Sequence, residues 1–266
     1  MKRLITGLLV CGGWLALVLY GAFPLFWLVV SAIGALALHE YSTVVLADLS
    51  PAARLDSMFC GFLPFLAAFS GSAEAVAAVL PLALVVLVGF IVTRYRDLAD
   101  PFMMMSRTGL GILYVGFCGA HLILLRHEPA GVAWLLWLTA ITVGSDSFAY
   151  YTGRLFGKRK LCPAVSPGKT VAGFVGGLVG SVGVSVLLAK YLFVDHDPLK
   201  MGLAAAFLSC VGVLGDLCES VIKRAMAVKD SGSILPGHGG ILDRIDSLLF
   251  TAPVLFSLVR FGYLVP

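Results

Sequence analysis

Four polar residues in an otherwise apolar stretch, Asp216, Glu219, Ser220 and Lys223, recur at i, i+3, i+4 and i+7. That spacing puts them on one face of a helix. Polar groups in such a setting must face protein or water rather than lipid, and ionisable side chains there mark candidate functional positions. The plainer reading is an internal ion pair, with Lys223 held by Asp216 or Glu219. The segment that follows, KDSGSILPGHGGILDRID, puts a glycine-rich turn between Lys229 and Asp230 on one side and Asp243, Arg244 and Asp246 on the other. Glycines allow backbone N–H groups to approach an anion closely. A helix starting near Ile241 would carry Asp243 and Asp246 on one face of its N-terminal end, where anions and metal-bridged phosphates are favoured. Two acidic clusters with basic neighbours suit Mg²⁺ completed by substrate phosphates, with cationic side chains clamping those phosphates. This chemistry points to phosphoryl or nucleotidyl transfer rather than acid–base work on a neutral substrate. His238, between glycines, is either a phosphate or ribose contact or a loop-shaping hydrogen bond.

A second charged segment, GSDSFAYYTGRLFGKRKLCPAVSPGKT, begins inside another apolar stretch. Asp146 and Tyr150 share a helical face there, and Asp146 is a further candidate metal ligand unless it simply pairs with Arg154. VSPGKT lacks the GxxxxGK[ST] spacing of a P-loop, yet Ser166, Lys169 and Thr170 around Pro167 and Gly168 could hold a phosphate. Arg154, Lys158, Arg159 and Lys160 read first as a basic cluster meeting anionic lipid headgroups.

The elements that must position these residues are membrane helices. Of 266 residues, 59% are hydrophobic and 13% charged, against about 25% charged in an ordinary soluble domain. That leaves too little polar surface for a water-soluble globule, so the chain is predicted to be an all-α, polytopic integral membrane protein. Nine apolar stretches approach the ~20 residues needed to cross a bilayer: 4–21, 23–39, 57–71, 74–93, 107–124, 131–151, 171–193, 201–222 and 245–265. With nine crossings, one side receives Lys2, Arg3, Arg54, Arg94, Arg96, Arg107, Arg154, Lys158, Arg159, Lys160, Lys169, Lys223, Arg224, Lys229 and Arg244. The other receives Arg126, Lys190, Lys200 and Arg260. The positive-inside rule therefore predicts a cytoplasmic N-terminus and cytoplasmic charged segments, in an inner (plasma) membrane location. The basic, apolar start reads as a retained first span rather than a cleaved signal. Six cysteines without CxxC pairs predict neither disulfides nor zinc. Chemistry divides the chain into scaffold helices, 1–130, and site-bearing helices, 131–266. A transporter reading is disfavoured because the acids gather at one end and no internal repeat is visible.

The run SVIKRAMAVKDSGSILPGHGGILDRID, Ser220 to Asp246, resembles the signature of the phosphatidate cytidylyltransferase (CDP-diglyceride synthase) family. LGD at 214–216 fits ahead of it. So do Asp146, Ala149, Tyr150, Gly153, Phe156, Gly157 and SPGKT upstream. The first half is similar in hydropathy and length only. The resemblance implies attack of the phosphatidate phosphate on the α-phosphorus of CTP, giving CDP-diacylglycerol and pyrophosphate in phospholipid biosynthesis. It implies Mg²⁺ bound by Asp216, Asp243 and Asp246 with Asp146 supporting. Asp216, Lys223, Asp243, Arg244 and Asp246 form the catalytic set. Ser166, Lys169, Ser220, Arg224, Lys229, Gly237, His238 and Gly239 form the substrate-binding set. Expected partners are CTP, phosphatidate and membrane lipids, with no nucleic acid; a homodimer is compatible with this reading. The family usually carries Glu two residues after SPxK[ST], where this chain has Ala172. The alternatives are a catalytically silent membrane homologue and another CTP-dependent lipid enzyme.

Overall fold

The computed structural model describes residues 2–234 and 239–264, with side chains from Thr6 onward. Ten α-helices, a 3₁₀ turn at Tyr95–Asp97, a π-helical stretch and one short hairpin make up its regular structure among these residues. The helices are α1 (Lys2–Tyr20), α2 (Phe23–Val45), α3 (Pro51–Ala68), α4 (Ala73–Thr93), α5 (Pro101–Gly111), α6 (Cys118–His127), α7 (Gly131–Phe156), α8 (Val171–Leu192), α9 (Pro198–Ala225) and α10 (Leu242–Arg260). A π-helical stretch, Ile112–Phe117, joins α5 to α6 into one rod. Nine helical rods thus stand where the nine apolar stretches lie. Among the described residues six are long and apolar enough to cross a membrane: α2, α4, the α5–α6 rod, α7, α8 and α9. α10 falls short because Asp243, Arg244 and Asp246 crowd its first turns, so the count of nine crossings is not established. Large apolar side chains such as Leu84, Val85, Val88 and Val92 on α4 point outward, as lipid-facing residues do.

Local sequence explains the helix starts. Ser50 and Asp100 each precede a proline at the first helical position, and their side chains accept from Ala53 N and Met103 N. Ser72 and Thr170 cap α4 and α8 in the same way. Each cap satisfies a backbone donor that the helix leaves unpaired.

The chain forms two compact units. One holds the residues up to His127 together with Ala225–Ile245; the other holds Glu128–Arg224 and the chain from Asp246 onward. In the first, Ala53, Cys60, Ala83, Leu87, Ile91, Met104 and Ile112 build a core between α3, α4 and the α5–α6 rod. A Cβ on Gly116 would fall 2.3 Å from the Gly61 carbonyl oxygen, so the π-helical stretch meets α3 backbone to backbone. Buried hydroxyls of Ser57 and Thr108 bond at 2.9 Å, and Tyr41 donates to the Arg107 carbonyl at 2.7 Å.

In the second unit α7 and α8 pack through small residues. Cβ atoms added at Gly173 and Gly177 would meet the carbonyl oxygens of Ala149 and Ser145 at 2.8 and 2.9 Å. Backbone contact of this kind replaces the hydrophobic drive that helix pairing lacks in lipid. Ser145 bonds Ser209 on α9 at 2.8 Å, and Ser185 donates to the Met201 carbonyl at 3.1 Å. Between α7 and α8 lies a short hairpin, a departure from an all-α chain. β1 (Lys160–Cys162) pairs antiparallel with β2 (Ser166–Thr170), Lys160 opposite Thr170 and Cys162 opposite Ser166.

Candidate active site

The second unit gathers most of the charged residues expected from the sequence. β2 presents Lys169, whose Nζ lies 2.6 Å from Asp216 Oδ2 on α9. One turn along α9, Ser220 Oγ donates to Asp216 Oδ1 at 3.4 Å. Asp246 enters from α10, where a Cβ on Gly215 would stand 2.7 Å from the Asp246 carbonyl oxygen. The glycine beside Asp216 therefore lets α10 approach closely. Asp246 Oδ1 accepts from Ser247 N at 2.6 Å. Asp216 and Asp146 act on Asp246 as like charges, and Lys169 acts as the opposing one. Asp146 on α7, Lys169 on β2 and Asp216 on α9 are thus all in electrostatic reach of Asp246 on α10.

Glu219 and Lys223 resolve differently. Lys223 Nζ sits 2.6 Å from Glu219 Oε2, with the Glu219 side chain 2% exposed. The ion-pair alternative to a phosphate role is therefore realised within α9. Arg224, the next residue, reaches back to the Val165 carbonyl at 3.4 Å and ties the end of α9 to the hairpin turn. Ser166 begins β2.

The remaining expected residues belong to the first unit. Asp243 Oδ2 accepts from Ser231 N at 3.1 Å, Ser231 Oγ at 3.0 Å and Gly240 N at 2.9 Å. This oxygen organises the backbone on both sides of the glycine segment. Gly239 adopts φ +82°, and a Cβ there would stand 3.0 Å from the same carboxylate, a conformation and a clearance that suit glycine. Lys229 and Arg244 are exposed. Gly237 and His238 lie outside the described residues.

Glu40 on α2 was not singled out by sequence reasoning. Its side chain is buried against the start of α10, where it accepts from Ile241 N and Leu242 N at 3.0 and 2.9 Å. The available signal was an acid in an apolar helix: the second stretch was ended at 39, whereas α2 runs on to Val45.

No three His, Cys, Asp or Glu side chains among the described residues stand close enough together to hold a metal ion. The donor chemistry nevertheless fits Mg²⁺, which commonly takes one or two carboxylates and completes its shell with water and substrate phosphate. Asp216 and Asp246 are the carboxylates that would serve, and Lys169 places a cation beside Asp216.

A bundle of apolar helices that brings acids and a lysine together where a polar hairpin meets the helix ends defines a membrane protein suited to anionic, phosphate-bearing substrates. The sequence model of the cytidylyltransferase family matches residues 1–262, and the chain belongs to that family. Among its relatives is the phosphatidate cytidylyltransferase of Bacillus subtilis (strain 168), 34% identical over 265 residues and covering 97% of each chain. The chloroplastic phosphatidate cytidylyltransferase 4 of Arabidopsis thaliana is 34% identical over 232 residues, 78% of this chain and 58% of its own. The phosphatidate cytidylyltransferase of Brucella abortus is 42% identical over 147 residues, 55% of this chain and 54% of its own.

Proposed function

We propose that this protein transfers the cytidylyl group of CTP to phosphatidate, forming CDP-diacylglycerol and releasing pyrophosphate. The observation that carries the reading is the Lys169–Asp216 ion pair, with Asp246 in electrostatic reach of both and of Asp146. It is joined by family membership and by end-to-end likeness to a relative named for this activity.

The reaction brings two anionic phosphates together, so its main demand is charge compensation and in-line placement rather than a protein nucleophile. The phosphatidate oxygen attacks the α-phosphorus, the bond to the β-phosphate oxygen breaks, and that oxygen leaves with pyrophosphate. Lys169 turns from Asp216 to a substrate phosphate. Exposed Arg224 attracts the triphosphate or the lipid phosphate, and Lys229 and Arg244 keep the phosphate role that the family signature implies. Lys223, held by Glu219, adds positive charge from a fixed place. Ser166 and Ser220 donate hydrogen bonds to nucleotide oxygens. Mg²⁺ bound by Asp216 and Asp246, with Asp146 nearby, would offset charge on the phosphates and on the departing pyrophosphate. Asp243 serves first as the organiser of the glycine segment.

CTP is a cytosolic nucleotide and phosphatidate a bilayer lipid. This reading therefore places the charged ends of α7, α9 and α10 at the cytoplasmic face of the inner membrane. The test is purified protein with phosphatidate, Mg²⁺ and labelled CTP. CDP-diacylglycerol and pyrophosphate in equal amounts support the proposal, and nucleotide hydrolysis without lipid product removes it.

A further inference from the structure

Glu40 is 2% exposed on α2, a helix long and apolar enough to cross a membrane. A carboxylate there is costly unless its oxygens are hydrogen-bonded or its charge is opposed. Glu40 meets that demand from a single stretch of chain far away in sequence. Its Oε1 accepts from Ile241 N at 3.0 Å and its Oε2 from Leu242 N at 2.9 Å. These are amides at the positive end of the α10 dipole. Ser231 Oγ lies 3.3 Å from the same Oε2. Cβ atoms added at Gly232 and Gly240 would fall 2.4 and 2.5 Å from Glu40 oxygens, so at both positions the backbone lies against the carboxylate and a side chain would displace it. Asp243 accepts from Ser231 and Gly240, the residues that Glu40 packs against. Ser231 Oγ carries one proton between the two carboxylates and stands nearer Asp243, at 3.0 Å.

We propose that Glu40 is a positioning residue for the transfer reaction: from α2 it caps α10 and holds Ser231, Gly240 and hence Asp243 in one arrangement. It does not touch substrate. This inference rests on the function proposed above, while its structural half can be read without any substrate. The residue has no place in the signature of the C-terminal half, because the contact joins positions about two hundred residues apart.

The experiment compares the wild type with Glu40→Gln, which keeps side-chain length but loses the charge, and Glu40→Asp, which keeps the charge but shortens the reach. Amide hydrogen exchange is followed in detergent without substrate, and steady-state kinetics are measured per folded molecule. In Glu40→Gln, exchange at Ser231 and Gly240–Leu242 is expected to quicken about tenfold, the loss of one charge-assisted hydrogen bond. Exchange in α3 and α4 is expected to stay unchanged. kcat is expected to fall at least about tenfold while KM for CTP and phosphatidate stays within about threefold, the pattern of lost transition-state organisation. Glu40→Asp is expected to fall between the two. Uniformly faster exchange across the first unit, or wild-type kcat and exchange in Glu40→Gln, would overturn the proposal. A wild-type protein with no transfer activity would instead sink the reaction, and the exchange pattern would still decide whether Glu40 orders the segment.

Discussion

At the scale of single residues, Lys169 is the side chain with two claims on it. Its 2.6 Å contact with Asp216 is partly exposed, and an exposed ion pair contributes about 0–1 kcal/mol to stability. Its value to a reaction between two phosphates is larger. Lys169→Met is therefore expected to leave thermal unfolding nearly unchanged while lowering turnover about a hundredfold or more, as loss of a preorganised charge does. Parallel melting curves and rates check this; a large fall in stability with normal turnover would make the lysine structural. The acids of α9 and α10 were legible because charge in an apolar stretch is conspicuous and helical spacing fixes which side chains share a face. The division of labour among them was not. Helical spacing allowed Lys223 to pair with Glu219 or Asp216 without choosing between them, and it carries no sign of the Lys169–Asp216 pair, which joins a strand to a distant helix. Asp243 was expected as a metal ligand, and one of its oxygens is engaged by Ser231 and Gly240. Glu40 offered only the signal of an acid in an apolar helix; its partners, two backbone amides and a distant serine hydroxyl, add none.

Among the elements, helix existence was readable from hydropathy, and all nine stretches coincide with helical rods. What hydropathy does not register is how closely two rods approach. The glycines of α8 give the α7–α8 contact, and Gly153 of α7 lies against Thr170 at the end of β2, next to Lys169. Gly177→Leu would force a side chain against the Ser145 carbonyl. Overpacking of this kind costs about 1–3 kcal/mol, so the variant should unfold at lower temperature and lose activity together. Gly183, whose Cβ direction is open, is the control: Gly183→Leu should change neither. The π-helical stretch Ile112–Phe117 and the β1–β2 hairpin were also unread. The first departs from helical periodicity by a single widened turn, and the second lies in a charged segment whose Pro and Gly break any strand alternation.

For the molecule as a whole, the charge distribution predicts sidedness. Impermeant thiol reagent should modify Lys160→Cys and Lys229→Cys, in a background lacking the six native cysteines, only from the cytoplasmic face. If all nine rods cross, a reporter fused after Pro266 should lie on the opposite face; a reporter on the same side would mean an even number of crossings. The site requires the first result and not the second, because six rods already meet the length and hydropathy of a crossing helix.

The most direct measurement is product formation by the purified protein and by Asp246→Asn, given phosphatidate, Mg²⁺ and CTP labelled at the α-phosphate. The wild type is predicted to place label in CDP-diacylglycerol with one pyrophosphate released per lipid, and the folded variant to place none. Equal rates from the two proteins, or no labelled lipid from the wild type, would contradict a transfer site built on these acids.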